Sequence, residues 1–66
     1  MRVMVNGAVR EVAGEQTVAV LVAAITAERR GVAVAVNGEV VPRSMWAEAG
    51  LRDGDRVEVL SAAQGG

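Results

Sequence analysis

Sixty-six residues hold one domain, and a domain of this size buries only about 60% of the surface its unfolded chain exposes. The chain has no Cys, no His and no Lys; its seven cations are all Arg, and its net charge is −1. That composition excludes a disulfide framework, thiolate chemistry, the usual neutral-pH acid/base group, a Schiff base and a P-loop lysine, and it offers no basic stripe for nucleic acid.

Met1 to Val5 predicts a strand, with Val3 and Val5 alternating with Arg2 and Met4. Asn6-Gly7 is the strongest short hairpin signal, since both residues tolerate the positive φ of a type I′ turn. Ala8 to Val12 returns as the second strand, and Ala13-Gly14-Glu15-Gln16 breaks the pattern. Thr17 then caps a predicted helix from Val18 to about Arg29, in which Val18, Leu21, Val22 and Ile25 form one apolar stripe. Arg29 and Arg30 suit the C-terminal end of the helix dipole, and Gly31 stands where a C′ glycine belongs. The apolar run Val18 to Ile25 is far shorter than the roughly 20 residues a membrane span needs. Met1 to Gly7 is too soon interrupted by Asn-Gly to be a signal peptide. The expectation is a soluble, cytoplasmic domain without a membrane partner.

Val32 to Val36 reads as a strand, Asn37-Gly38 as a second hairpin turn, and Glu39 to Val41 as a short partner ended by Pro42. Proline lacks the ladder donor, which puts that partner at a sheet edge. Arg43 to Ala49 is a helical turn or irregular crossover carrying Trp46, the single aromatic residue. Asp53-Gly54-Asp55 makes a tight turn into the final strand, Arg56 to Leu60. The order is hairpin, helix, hairpin, crossover, strand. Pairing the last strand with the first gives a mixed five-stranded sheet with one main helix across one face. This is the α+β, ubiquitin-like β-grasp class. The domain is expected to span residues 1–61, followed by a flexible tail at 62–66.

That tail, Ala62-Ala63-Gln64-Gly65-Gly66, invites two readings. One is an ordinary frayed terminus. The other is a handle that presents the α-carboxylate of Gly66. Five residues reach roughly 16 Å when extended, far enough to thread a partner's catalytic centre. An α-carboxylate of ordinary pKa, about 3.3–3.7, is ionised at neutral pH and is a poor electrophile until it is activated.

The stretch Val36-Asn37-Gly38-Glu39-Val40-Val41-Pro42-Arg43-Ser44-Met45-Trp46, then Leu51-Arg52-Asp53-Gly54-Asp55-Arg56-Val57-Glu58-Val59 and a terminal Gly65-Gly66, resembles the ThiS family. The Pro42-Arg43-x-x-Trp46 segment together with Gly-Gly is the more specific part of the likeness, which covers essentially the whole chain. The resemblance implies a sulfur carrier of thiamine biosynthesis that is not itself an enzyme and binds no cofactor. A ubiquitin-activating-type adenylyltransferase would use ATP-Mg to adenylate Gly66. Sulfur from a cysteine desulfurase would replace AMP and leave a thiocarboxylate, and thiazole synthase would take that sulfur. Gly65, Gln64 and Ala63 would be the tail that partners grip.

The alternatives are the small subunit of molybdopterin synthase, another ubiquitin-like carrier or modifier, and an S4-like binding module. The last wants a basic face, which this chain lacks. Among single residues, Trp46 reads as a core plug. Arg29 and Arg30 read as a solvated helix end. Asp53 and Asp55 read as turn residues rather than a metal pair. With Val57 and Val59 facing the core, Leu60 faces out, as do Met4 and Ala35 on their own strands. Together these predict a mildly apolar docking surface beside the tail.

Overall fold

The computed structural model describes residues 1–27 and 30–61. The elements are β1 (Arg2–Val5), β2 (Ala8–Glu11), α1 (Val18–Ile25), β3 (Val32–Val36), β4 (Glu39–Val40), a 3₁₀ turn (Arg43–Met45) and β5 (Arg56–Ser61). Both predicted hairpin turns form. Asn6 and Gly7 have φ of 50° and 84°, and Asn37 and Gly38 have 51° and 84°. Those paired positive values define type I′ turns.

The strands lie in the order β2-β1-β5-β3-β4. β5 runs parallel to β1 and antiparallel to β3, and the two hairpins supply the outer pairs. The last strand in sequence is therefore the middle strand of the sheet, as the β-grasp reading requires. β4, the strand that Pro42 follows, lies at an edge.

On one face of the sheet Val34, Val57 and Val59 meet Val18, Leu21 and Val22 of α1, with Trp46 and Leu51 packed into the same cluster. Val3 is buried as well. Trp46 is only 7% exposed, and its Nε1 donates to the Val41 carbonyl at 2.9 Å. A buried indole N–H needs such a partner, so Trp46 is the core plug that the sequence suggested.

α1 is shorter than expected. It ends at Ile25, and Thr26 is already extended, with φ −143° and ψ 144°. Ala27, Glu28 and Arg29 are good helix formers, but the connection must turn into β3, whose first residue pairs with Ser61. Tertiary pairing overrides propensity here. α1 therefore has no basic residue in its last turn. Gly31, with φ 68°, serves the turn into β3 rather than a C′ position. Arg30 is exposed in that same turn, and Glu28 and Arg29 lie outside the described residues.

The helix start is fully satisfied. Val18 N donates to the Ala49 carbonyl at 2.9 Å and Ala19 N to the Trp46 carbonyl at 3.0 Å. Val20 N donates to Thr17 Oγ1 at 3.3 Å, and Leu21 N to the Thr17 carbonyl at 3.1 Å. The amides of Val18, Ala19 and Val20, which have no partner within the helix, are divided between the predicted cap and the crossover, and Leu21 N begins the regular helical ladder.

The Asp53-Gly54-Asp55 turn ties the crossover to the sheet. Asp53 Oδ1 accepts from Arg2 N at 2.7 Å. Asp55 Oδ2 accepts from Arg52 N at 2.8 Å and Asp55 Oδ1 from Asn37 Nδ2 at 3.0 Å. Replacing Asp55 by Ala removes two exposed hydrogen bonds, leaves their donors to water, and is expected to cost about 1 kcal/mol. Leu21, with no exposed surface, should cost about 3 kcal/mol when changed to Ala. Denaturant unfolding followed by Trp46 fluorescence checks both, with a lowered midpoint and an unchanged slope as the expected outcome.

Candidate functional site

The candidate site is the end of β5 and the sheet face opposite α1, where Leu60, Met4 and Ala35 lie. Ser61 is the last described residue and pairs with Val32, the first residue of β3. Ala63, Gln64, Gly65 and Gly66 lie outside the described residues.

The face opposite α1 is open. Alternation on β5 buries Val57 and Val59 and exposes Arg56, Glu58 and Leu60. On β1 it buries Val3 and turns Met4 outward; on β3 it buries Val34 and turns Ala33 and Ala35 outward. Leu60 is 69% exposed and Val40, opposite Ala35, is 76% exposed. Leu60, Met4 and Ala35 thus share one face, but the register does not bring all three together. Met4 stands beside Arg56, four residues before Leu60, which is about 13 Å along the strand.

The apolar surface is therefore divided into two lobes. Leu60, Ala33, Ala35 and Val40 form one, near the end of β5. Met4 and its cross-strand partner Val9, also exposed, form the other. Arg56 and Glu58 of the middle strand lie between them. Beyond Met4, Arg2 Nε and Glu11 Oε1 make an exposed ion pair at 2.8 Å, the kind that contributes little to stability.

Sequence reasoning did not identify what holds the exit strand. The β1–β5 ladder ends at Val5 and Val57, because the chain then turns away at Asn6. Asn6 N still donates to the Val57 carbonyl at 2.9 Å. The Asn6 side chain then continues the ladder: Oδ1 accepts from Val59 N at 2.8 Å and Nδ2 donates to the Val59 carbonyl at 3.1 Å. Asn37, the equivalent residue of the other hairpin, works at the opposite end of β5. Its Oδ1 accepts from Arg56 N at 3.0 Å, and its own N–H donates to the Arg56 carbonyl at 2.7 Å. The only signal available in the sequence was that each turn opened with Asn rather than Asp or Gly.

On the other side of the molecule, Ala19, Val22, Ala23, Ala47 and Trp46 line an open groove of about 360 Å³. The Arg43 guanidinium lies over the Trp46 ring, 5.7 Å from its centroid, within cation–π range. Among the described residues no group of three or more His, Cys, Asp or Glu could hold a metal ion. No described helix is long and apolar enough to cross a membrane.

The chain is similar to proteins of known kind along its full length. The model of the ThiS family matches residues 3–66. Sulfur carrier protein ThiS of Escherichia coli (strain K12) is 32% identical over 66 residues, which are all of both chains. A thiazole synthase of Paramagnetospirillum magneticum is 35% identical over 66 residues; the chain spans 20% of that protein's length. The crystal structure of a thiamine biosynthesis protein (ThiS) from Geobacter metallireducens superposes with a TM-score of 0.82 at 36% identity, covering 92% of this chain and 93% of that one. A solution structure of a thiamine biosynthesis protein from Geobacter metallireducens gives 0.76 at 35% identity, with 91% and 81% covered. With the family model matching residues 3–66 and a full-length relative at 32% identity, this chain belongs to the ThiS family.

Proposed function

We propose that this chain is a sulfur carrier of thiamine biosynthesis and that it carries sulfur as a thiocarboxylate on Gly66. One observation carries the reading: the match to the Escherichia coli sulfur carrier runs the whole length of both proteins, Gly66 included. The fold supports it. The middle strand of the sheet leads directly into the residues that hold Gly66, with Ser61 still paired to Val32.

The chemistry has two steps. A carboxylate is resonance-stabilised and anionic, so sulfur does not displace its oxygen without activation. An oxygen of the Gly66 carboxylate attacks the α-phosphorus of ATP held with Mg by a partner adenylyltransferase, and pyrophosphate leaves. A sulfur nucleophile then attacks the acyl carbon and AMP leaves with the bonding pair. If sulfur arrives as a persulfide from a cysteine desulfurase, the product is an acyl disulfide, and a thiol must cleave its S–S bond to release the thiocarboxylate. Gly65 and Gly66 have no Cβ to crowd the acyl carbon or the channel leading to it. The chain is the covalent substrate in both steps, and the partners supply the catalysis.

Thiazole synthase is the proposed acceptor. The relative that bears that name holds, within one polypeptide, a segment similar to this entire chain. Tethering a carrier to its acceptor makes their encounter intramolecular, at an effective concentration in the millimolar range for short flexible linkers. That gain is useful only if the two work together. The open sheet face is the proposed docking surface for the partner enzymes, the adenylyltransferase included, with Leu60, Ala35 and Val40 as one apolar contact and Met4 as the other.

Incubation with ATP-Mg, a cognate adenylyltransferase and a sulfur source should raise the intact mass by the difference between one sulfur and one oxygen atom. Removing Gly66 should abolish the gain, and an unchanged mass for the full chain would refute the thiocarboxylate. Leu60→Asp should raise the KM for the adenylyltransferase about tenfold, equivalent to about 1.4 kcal/mol of lost contact. Its kcat should be retained, and so should its thermal midpoint, because Leu60 is largely exposed.

A further inference from the structure

We propose that Asn6 is a positioning residue for sulfur transfer: its side-chain amide fixes the direction in which β5 leaves the sheet, and so the path along which the residues after Ser61 are delivered. This rests on the reading of Gly66 as the reacting end.

The need for such a residue follows from the register. On its β3 side, β5 is paired through to Ser61. On its β1 side the backbone ladder stops at Val57, and the next peptide groups facing that way are those of Val59. Without a partner there, the end of β5 would be held along one side only, as an edge strand is. The Asn6 amide fills the gap with one acceptor and one donor, at 2.8 Å and 3.1 Å, to the N–H and C=O of Val59. It acts as a substitute peptide group.

Few residues can do this. The backbone of Asn6 has φ 50°, a region that Asn, Asp and Gly tolerate best. Gly can make the turn but has no amide. Asp can make the turn and accept from Val59 N, yet its ionised carboxylate offers no donor to the Val59 carbonyl. Only Asn meets both demands. The clamp stands two residues before Ser61, and Val59 is itself a buried core residue. Orientation set at Val59 therefore passes to Leu60 and Ser61. Misplacing a reacting group by about 1 Å can cost on the order of 100-fold in rate, so loosening this exit should be visible in transfer kinetics.

Asn37 provides an internal control, since it makes the same kind of turn and its amide oxygen accepts from Arg56 N at the far end of β5, while its Nδ2 donates to Asp55 Oδ1. The experiment compares Asn6→Gly, Asn6→Asp and Asn37→Gly with the unaltered chain, at a temperature where all are folded. Backbone order parameters and amide exchange are read at Val57, Val59, Leu60 and Ser61, and thiocarboxylate formation by intact mass. Asn6→Gly should speed exchange at Val59 and lower the order parameters of Leu60 and Ser61, leaving Val57 unchanged. It should also lower the kcat of transfer about tenfold with little change in KM. Asn6→Asp should fall between it and the unaltered chain. Asn37→Gly should stay within about twofold of normal transfer, although it too loses a clamp.

The proposal is overturned if Asn6→Gly leaves Leu60 and Ser61 as ordered as before, even with transfer reduced, because Asn6 would then act by touching the partner. Equal loss of transfer in Asn6→Gly and Asn37→Gly also overturns it, since the effect would then be one of stability. If the unaltered chain gains no sulfur, the reading of Gly66 fails, and the order parameters alone still decide whether Asn6 fixes the exit.

Discussion

The structure depends on how β5 is held. This strand is the last of the described elements in chain order, yet it lies between two hairpins that are each complete without it, and most of the sheet's long-range pairing goes through it. The ladders to β1 and β3 overlap only at Val57. Two turn asparagines bracket what the backbone leaves open, Asn37 at Arg56 and Asn6 at Val59. In each case one residue satisfies a local requirement, a positive φ in a type I′ turn, and a long-range one, a donor–acceptor pair aimed at a distant strand. Agreement between local and global preference is what gives a small chain a single native state. It matters here because the core is built mainly of Val, with Leu21 from α1 and Trp46 and Leu51 from the crossover.

The crossover does for α1 what the asparagines do for β5. A helix of this length, about 12 Å from end to end, is too short to be stable by itself. Its first two amides are received by carbonyls of Ala49 and Trp46, while the Trp46 ring packs in the core beside it. The Trp46 indole is in turn fixed to Val41 at the end of the second hairpin. Helix start, crossover and hairpin therefore lock together through one side chain and its backbone.

What could be read from the sequence was what short-range chemistry decides. Asn6-Gly7 and Asn37-Gly38 announce their turns because of which dihedral angles those residues tolerate. Alternation in Arg56 to Leu60 announces which side chains are buried because a strand has a period of two. The end of α1 was not legible: Ala27, Glu28 and Arg29 all favour continuing the helix, and only the pairing of Val32 with Ser61 shows why it stops. The layout of the open face was half legible. Period-two alternation places Met4, Ala35 and Leu60 on one face, but how far apart they lie depends on register between strands, and no single strand contains that information. The Asn6 clamp joins residues 53 apart in sequence, and its one local trace is that the turn opens with Asn. Ala63 to Gly66, on which the proposed chemistry rests, were read from sequence alone and lie outside the described residues.

The register also bears on how a partner would read the proposed docking face. Many of the polar groups that might have served a site are engaged within the fold: Asp53 and Asp55 in the turn, Asn6 and Asn37 on β5, Thr17 at the helix start. The face itself presents two apolar lobes with Arg56 and Glu58 between them on the middle strand. Two apolar lobes alone would let a partner dock in either of two opposed orientations with similar burial. The charges remove that ambiguity, since Arg56 lies beside Met4 and Glu58 beside Ala35. Charge placement of this kind selects orientation more than it adds affinity. Orientation is what a carrier of this kind must control, and a partner that engages Arg56 and Glu58 holds the strand that precedes Gly66 in the sequence.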